Sequence, residues 1–322
     1  MNGVVSDERF LRQTIENVGV AVEQSLKNAQ PITHLGFGES KVEKVASNRR
    51  IIGKDGKMAI VRFSSSTDSA VKAAPEGVID PWLKCVSFWN NEVPVAVLTY
   101  YATHPQSYYG TGDVSCDFIG IARNQFEKSL RISSVHFNGA GGNVAAGKYN
   151  DGSATVRMIL AKRVESAMKT AFLNTEKIPI KSTDLVWKSK WITLPLATDL
   201  IEDELRATLK NMKEYTGETE LTATKLAWLT EVEKGRKVQM SSLRLGNTWL
   251  LNIPGEAFVE YQLAVKALRP GDHVCTAAYE EYGPVYIGTK IAYTQGGFET
   301  GYSFVSPEVE ETLIKTIKEV LQ

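Results

Sequence analysis

Residues 98–120, LTYYATHPQSYYGTGDVSCDFIG, are the stretch around which the fold of this chain is organised. The stretch opens in an apolar strand and reaches His104-Pro105, where the strand has to end because proline cannot donate to a sheet ladder. In open α/β sheets, ligands bind beyond the carboxyl ends of the strands. His104 and the polar loop after it are therefore a candidate metal or acid–base site. The alternative is a histidine whose ring is hydrogen-bonded within an ordinary loop.

On either side of this stretch, apolar periodicity predicts alternating strands and helices. Hairpins are predicted at 84–101, across Asn91-Glu92, and at 238–253, across Gly246-Asn247. An amphipathic helix at 7–28 should pack its apolar face on the sheet. Further helices are predicted at 117–130, at 154–172, within a charged excursion at 198–236 and from Ser306-Pro307 onward. The pattern predicts one α/β domain over residues 1–322, with a mixed sheet flanked by helices.

Composition and charge exclude several classes of protein. The 37 basic and 37 acidic residues cancel, so nothing indicates a nucleic-acid or anionic-membrane partner. No apolar run is long enough to predict a transmembrane segment, and no signal peptide is visible at the start. The three cysteines are too widely spaced for a zinc cluster or a disulfide framework.

Two more segments place polar groups at strand ends. The glycine-rich turn Gly139-Ala140-Gly141-Gly142-Asn143-Val144 follows a predicted strand at 134–138. It matches neither dinucleotide-binding nor Walker spacing, so nucleotide binding is rejected. Pro254-Gly255-Glu256 lies between an apolar strand and a predicted helix, which puts a carboxylate at the same kind of edge as His104. A glutamate that stabilises a helix start is the alternative.

These motifs resemble a known family. Ala102-Thr103-His104-Pro105-Gln106-Ser107, followed by Ser115-Cys116-Asp117 and Gly120, resembles the Ala-Val-His-Pro-Thr-Ser…Ser-Ser-Asp…Gly stretch of the neutral ceramidases, which are zinc amidohydrolases. The resemblance implies their catalytic-domain-like α/β fold, without the C-terminal immunoglobulin-like domain. It also implies Zn²⁺ as cofactor and hydrolysis of a linear amide, in a small-molecule or lipid substrate, by metal-activated water.

The resemblance assigns roles residue by residue. It implies His104, Glu256 and Tyr286 as the zinc ligands, and Arg49 as a residue that holds the substrate and, with the backbone of the 139–144 turn, stabilises the oxyanion. A surface arginine is the alternative for Arg49. Four further residues would bind substrate: Asp117, Gly142, Asn143 and Phe298. Two departures weaken the match, since Ala145 and Phe298 stand where the family has an active-site Ser and Tyr.

The family's first zinc-binding histidine, in a His-Thr-His-Ser segment, has no counterpart, and His34, His136 and His273 do not match it. The chain is therefore expected to lack an N-terminal portion, to bind zinc weakly and to expose a sheet edge that favours homo-oligomers. His136, beside the glycine-rich turn, is the residue that could complete the site. Two alternatives stay open: a non-catalytic remnant that binds a ligand or partner, and a hydrolase that uses the Cys116 thiolate. Members of the family are often secreted or periplasmic, but the compartment of this chain is not indicated.

Overall fold

The structure, a computed structural model, describes residues 7–109, 114–214, 216–281 and 283–322. The helices are α1 Glu8–Leu26, α2 Ser69–Ala73, α3 Asp117–Leu130, α4 Ala154–Leu173, α5 Glu202–Asn211, α6 Gly217–Glu233, α7 Val259–Leu268, α8 Lys290–Gln295, α9 Phe298–Gly301 and α10 Val309–Val320. The strands are β1 His34–Lys41, β2 Ser47–Asn48, β3 Arg50–Ile52, β4 Met58–Val61, β5 Trp82–Asn90, β6 Val93–Tyr101, β7 Ser133–Asn138, β8 Val144–Ala145, β9 Glu176–Pro179, β10 Leu185–Ile192, β11 Val238–Leu245, β12 Thr248–Pro254, β13 Glu256–Ala257, β14 His273–Glu280 and β15 Tyr286–Ile287.

The longer strands form two mixed sheets. The first has the order β7-β6-β5-β1-β9, and its one parallel pair is β6 with β7. The second has the order β10-β11-β12-β14, and its one parallel pair is β12 with β14. The predicted class, mixed α/β with flanking helices, is confirmed. The prediction of one sheet is wrong, because apolar runs predict strands without saying which strands pair.

The sheets pack face to face with helices outside them, which gives four layers. The core between the sheets takes Leu35, Phe37 and Val86 from the first sheet and Leu245 and Cys275 from the second. Alternate residues of the same strands point outward, and they pack against α3 and α4 on the first sheet or α7 and α10 on the second. The central strands of each sheet are therefore covered on both faces.

Close packing of α4 on the first sheet depends on one glycine. A Cβ atom at Gly38 in β1 would lie 2.0 Å from the carbonyl oxygen of Ala171 in α4. No side chain fits there, so glycine lets the helix backbone contact the strand directly.

Most predicted elements are confirmed. Helix α3 spans the predicted residues, both hairpins turn at the predicted dipeptides, and α5 and α6 fill the excursion at 198–236. The last helix begins at Val309, a little after the predicted Ser306-Pro307, and its predicted core residues Val309, Leu313, Ile317 and Val320 are all buried. In the described part of the chain, no helix is both long and apolar enough to cross a membrane.

Helix α1 departs from its prediction. The helix forms where the periodicity placed it, but none of its residues is buried. Leu11, Ile15 and Leu26, on the predicted packing face, are 52%, 64% and 71% exposed. The expectation that this face packs on the sheet is wrong. Periodicity identifies the apolar side of a helix but not a surface that covers it.

Candidate functional site

The candidate site lies where the parallel pairs of the two sheets end. His104 follows β6, and the glycine-rich turn follows β7, its parallel neighbour. Glu256 follows β12, and Tyr286 lies beyond β14, which runs parallel to β12. Carboxyl ends of parallel strands share one edge, so each sheet delivers polar groups to a common region.

Glu256 and Tyr286 are placed side by side by a short parallel ladder. In the β13–β15 pair, Glu256 is the register partner of Tyr286, and the Glu256 N–H donates to the Val285 carbonyl at 2.6 Å. Gly255 has φ +63°, and a Cβ there would lie 2.7 Å from the Val285 oxygen. The Pro-Gly-Glu sequence thus needs glycine to turn the chain from β12 into the site.

His104 is held in one orientation by the glycine-rich turn. Its Nδ1 lies 2.8 Å from the Gly141 carbonyl oxygen and 3.0 Å from that of Val144. Carbonyl oxygens only accept, so Nδ1 carries the ring proton and donates to them. The opposite nitrogen, Nε2, lies 2.9 Å from Oε2 of Glu256, and both side chains are buried.

The Nε2–Oε2 contact has an electrostatic consequence. A neutral imidazole with its proton on Nδ1 turns a lone pair toward the carboxylate, and two lone pairs at this distance repel. The contact therefore calls for a second ring proton or for a cation bound by both groups. A zinc-binding histidine commonly donates its other N–H to a carbonyl, as His104 does. The pair also supplies an imidazole nitrogen and a carboxylate oxygen, both of which are donors that zinc binds, so its chemistry fits zinc.

Tyr286 supplies the third oxygen or nitrogen donor of the predicted set. Its ring centroid lies 6.3 Å from that of His104. Burial raises the pKa of its phenol to about 12, although the neighbouring Arg49 acts in the opposite direction. Nη1 of Arg49 donates to the phenol oxygen at 3.2 Å. Among the described residues, His, Cys, Asp and Glu side chains form no group of three that could hold a metal, and Tyr286 as a third ligand stays a prediction.

Arg49 and Arg50 share a buried carboxylate. Glu299 is 0% exposed, with Oε1 3.4 Å from Nε of Arg49 and Oε2 3.1 Å from Nη1 of Arg50. Sequence analysis gave no role to Glu299, because nothing in the sequence shows that residues 49, 50 and 299 meet. A carboxylate this deeply buried is retained only when cations neutralise it, so Glu299 fixes the orientation of both guanidinium groups.

A cavity of about 440 Å³ opens beside Arg49 and Tyr286. Its other lining residues are Phe63, Ser64, Ser65, Gln106, Tyr109 and Phe298. The Arg49 guanidinium lies over the rings of Phe63 and Phe298, at 5.6 and 5.3 Å from their centroids. The volume is in the range of small-molecule sites. Of the predicted site residues, Arg49, Tyr286 and Phe298 line this cavity, whereas His104 and Glu256 contact Tyr286 from outside its lining.

Asp117 anchors the loop that carries His104. Its Oδ2 accepts from the backbone N–H of Ser107 at 2.8 Å and of Tyr108 at 3.2 Å. Its Oδ1 accepts from the Ser107 hydroxyl and from the Phe118 N–H. Both oxygens are thus engaged within the loop and the start of α3. These contacts give Asp117 a positioning role, and its predicted part in substrate binding stays a prediction.

Most N–H groups of the glycine-rich turn are bonded within the protein. The N–H groups of Gly139, Ala140, Gly142 and Val144 all donate to protein oxygens. A Cβ at Gly142 would lie 2.1 Å from the Glu256 carbonyl oxygen, so this glycine permits close approach of the Glu256 strand. These bonds engage four of the six N–H groups of the turn, and its predicted part in stabilising an oxyanion stays a prediction.

Asn143 is fully buried and connects the turn to α7. Its Oδ1 accepts from the Val259 N–H, and its Nδ2 donates to Glu260, both at 2.9 Å. Burial raises the pKa of the Glu260 carboxyl. Asn143 therefore fastens the turn to a helix start, and its assignment to substrate binding, like that of Gly142, stays a prediction.

His136 and Cys116 lie together in a different cleft. They line it with Pro105, Ser134 and other residues of α3 and β7, and the His136 Nδ1 contacts the Thr99 hydroxyl at 2.9 Å. Neither residue lines the cavity beside Arg49. The structure thus does not bring His136 to the His104–Glu256 pair as a completing ligand.

No protein-family model and no curated protein matches this sequence. Solved structures do match. The neutral ceramidase from Pseudomonas aeruginosa superposes with a TM-score of 0.60 at 17% identity, over 90% of this chain and 52% of that one. A ceramidase complexed with C2 gives 0.60 at 15% identity, over 90% and 53%. The chain spans about half the length of these structures. At such identities the likeness shows the fold alone, and this chain has a ceramidase-like α/β fold.

Proposed function

We propose that this chain carries a zinc-dependent hydrolase site that cleaves a linear amide bond, with His104, Glu256 and Tyr286 as protein ligands. The observation that supports it best is the 2.9 Å contact between Nε2 of His104 and Oε2 of Glu256. With the ring proton held on Nδ1 by two carbonyls, a cation bound by both groups would account for that contact, as would a second ring proton. The ceramidase-like fold supports the same chemistry, because both matched solved structures are ceramidases.

Zinc, when bound, lowers the pKa of its water to about 7 and polarises the scissile carbonyl. The protein's part is orientation and charge. The turn carbonyls keep the imidazole in one tautomer, and the β13–β15 ladder holds the Glu256 carboxylate beside the Tyr286 phenol. Arg49, held by Glu299, lies at the cavity wall, where it would donate to the oxygen that gains charge as the amide is attacked.

Phe298 marks a departure from efficient catalysis. It occupies a cavity position where the resemblance calls for a tyrosine hydroxyl, and phenylalanine cannot donate a hydrogen bond. Loss of one oxyanion donor typically costs a factor of about 10² to 10³ in rate. We therefore expect Phe298→Tyr to raise the rate of amide hydrolysis, and an unchanged rate would argue against this role for position 298.

The test is metal content and activity together. The full chain, stripped with chelator and reloaded with zinc, is measured by elemental analysis and by release of amine from short N-acyl amides. His104→Ala should lose the bound zinc and the activity, because two donors remain. His34→Ala is the matched control, since His34 lies on β1 with its ring against Thr33. Equal zinc content in the His104→Ala variant and the wild type would contradict the proposal.

A second candidate is a non-catalytic protein that keeps the cavity as a ligand site. Ala145 and Phe298, at positions where the family has Ser and Tyr, favour it. This candidate predicts ligand binding with no amide turnover, even with zinc bound. Amide hydrolysis by the Phe298→Tyr variant would favour the hydrolase over this second candidate.

A further inference from the structure

We infer that the cavity beside Arg49 selects a compact N-acyl compound that carries a carboxylate, such as an N-acyl amino acid, over the matching N-acyl amino alcohol. The inference rests on the proposed function for the reaction itself, but binding selectivity is testable without it. Three observations carry it: the size of the cavity, the charge of its lining and the unused donors of one guanidinium.

The size suits a small-molecule ligand. A cavity of about 440 Å³ lies in the lower half of the ~300–1,000 Å³ range of small-molecule sites. An N-acetylated aromatic amino acid is a ligand of that class. The walls formed by Phe63, Tyr109 and Phe298 suit a flat or aromatic group, because aromatic pairs prefer offset or edge contacts.

The charge of the cavity lining favours an anionic ligand. Among the described lining residues Arg49 is the one charged side chain. Its carboxylate partner, Glu299, is fully buried and is shared with Arg50, and neither Glu299 nor Glu256 lines the cavity. The one charge that a ligand meets on the described lining is therefore positive, and an anion complements it.

Arg49 also has hydrogen-bond donors that the described residues do not engage. A guanidinium has five N–H donors in a planar fork that matches a carboxylate. The bond to the Tyr286 phenol and the ion pair with Glu299 engage Nη1 and Nε, and Nη2 makes no hydrogen bond to the described residues. The guanidinium lies beside the rings of Phe63 and Phe298, which contact each other edge to face. A preorganised fork of this kind loses little freedom when it binds an anion.

The test compares two ligands that differ in one group. N-acetyl-L-phenylalanine and N-acetyl-L-phenylalaninol are titrated into chelator-treated wild-type protein by calorimetry, so that bound zinc cannot attract the carboxylate. We expect the carboxylate to bind about tenfold to a hundredfold more tightly, the range for hydrogen bonds to charged groups. Arg49→Gln should remove this preference, and Arg49→Lys should keep part of it. Arg206→Gln is the control, since Arg206 forms an exposed pair with Glu202.

Equal binding of the two ligands, tighter binding of the alcohol, or no binding of either at millimolar concentration would overturn the inference. Loss of the preference in Arg206→Gln would overturn it as well, because the effect would then be one of net charge. Hydrolysis of both compounds by the zinc-loaded protein is measured in parallel. A carboxylate preference without hydrolysis upholds the selectivity and rejects the hydrolase. Faster hydrolysis of the alcohol than of the carboxylate supports the hydrolase and rejects the selectivity.

Discussion

Helices α1 and α10 were predicted by the same apolar periodicity, and they end in opposite environments. Helix α10 buries Val309, Leu313, Ile317 and Val320 against the second sheet. Helix α1, which is longer, buries nothing. Apolar periodicity thus identifies the face of a helix that could be buried, but it does not show that another element packs against that face. A helix without tertiary contacts is only marginally stable in water, so the two should behave as separate parts of the molecule.

The largest effect is expected in α10. Leu313→Ala removes a side chain that is 0% exposed in the core, and it should lower the free energy of unfolding by about 2 to 5 kcal/mol. Urea unfolding followed by tryptophan fluorescence measures the change. A loss of under 1 kcal/mol would mean that α10 is not part of the cooperative core.

Acid should destabilise the packed part through His136. Burial lowers the pKa of this imidazole from 6.5 to about 4. Between these values the unfolded chain binds a proton that the folded chain does not, so stability falls as the pH drops through this window. This imidazole alone should lower the free energy of unfolding by about 2 kcal/mol between pH 7.5 and pH 5.

The measurement compares urea unfolding at the two pH values in wild type and in His136→Gln. The free energy of unfolding should change less between the two pH values in the variant than in the wild type. An equal change in both proteins would show that His136 is accessible to protons in the folded state.

A smaller effect should be confined to α1. Asp7 caps the helix, with Oδ1 accepting from the N–H groups of Arg9 and Phe10 at 2.9 and 3.1 Å. Asp7→Ala should weaken the helix locally by about 1 kcal/mol. Amide hydrogen exchange should therefore speed up in α1 and stay unchanged in α10. A fall of about 1 kcal/mol in the free energy of global unfolding would show instead that α1 unfolds together with α10.

The smallest effect is expected at Ile15, on the apolar stripe of α1. Because this side chain is 64% exposed, Ile15→Ala should change the free energy of unfolding by no more than about 0.5 kcal/mol. Dilution series at several protein concentrations provide the check. A loss above 1.5 kcal/mol that depends on concentration would show that another copy of the chain covers α1.

The candidate site shows a similar division between local and long-range information. His104, Glu256 and the glycine-rich turn were found from sequence, because each follows an apolar strand and is marked by Pro or Gly. Glu299 received no role, although its carboxylate holds both arginines. Its partners lie some 250 residues away along the chain, and only folding brings opposite charges together over such a separation.

Local pattern was enough to place the elements and the class of fold. Strand alternation, helix periodicity and turn dipeptides act over a few residues, so α3, both hairpins and the buried stripe of α10 were readable directly. Tertiary structure alone decided that the strands divide into two sheets, that α1 lies uncovered and that Asp117 and Asn143 fasten backbone segments. These outcomes depend on which surfaces meet, and side-chain period carries no information about the partner across the interface.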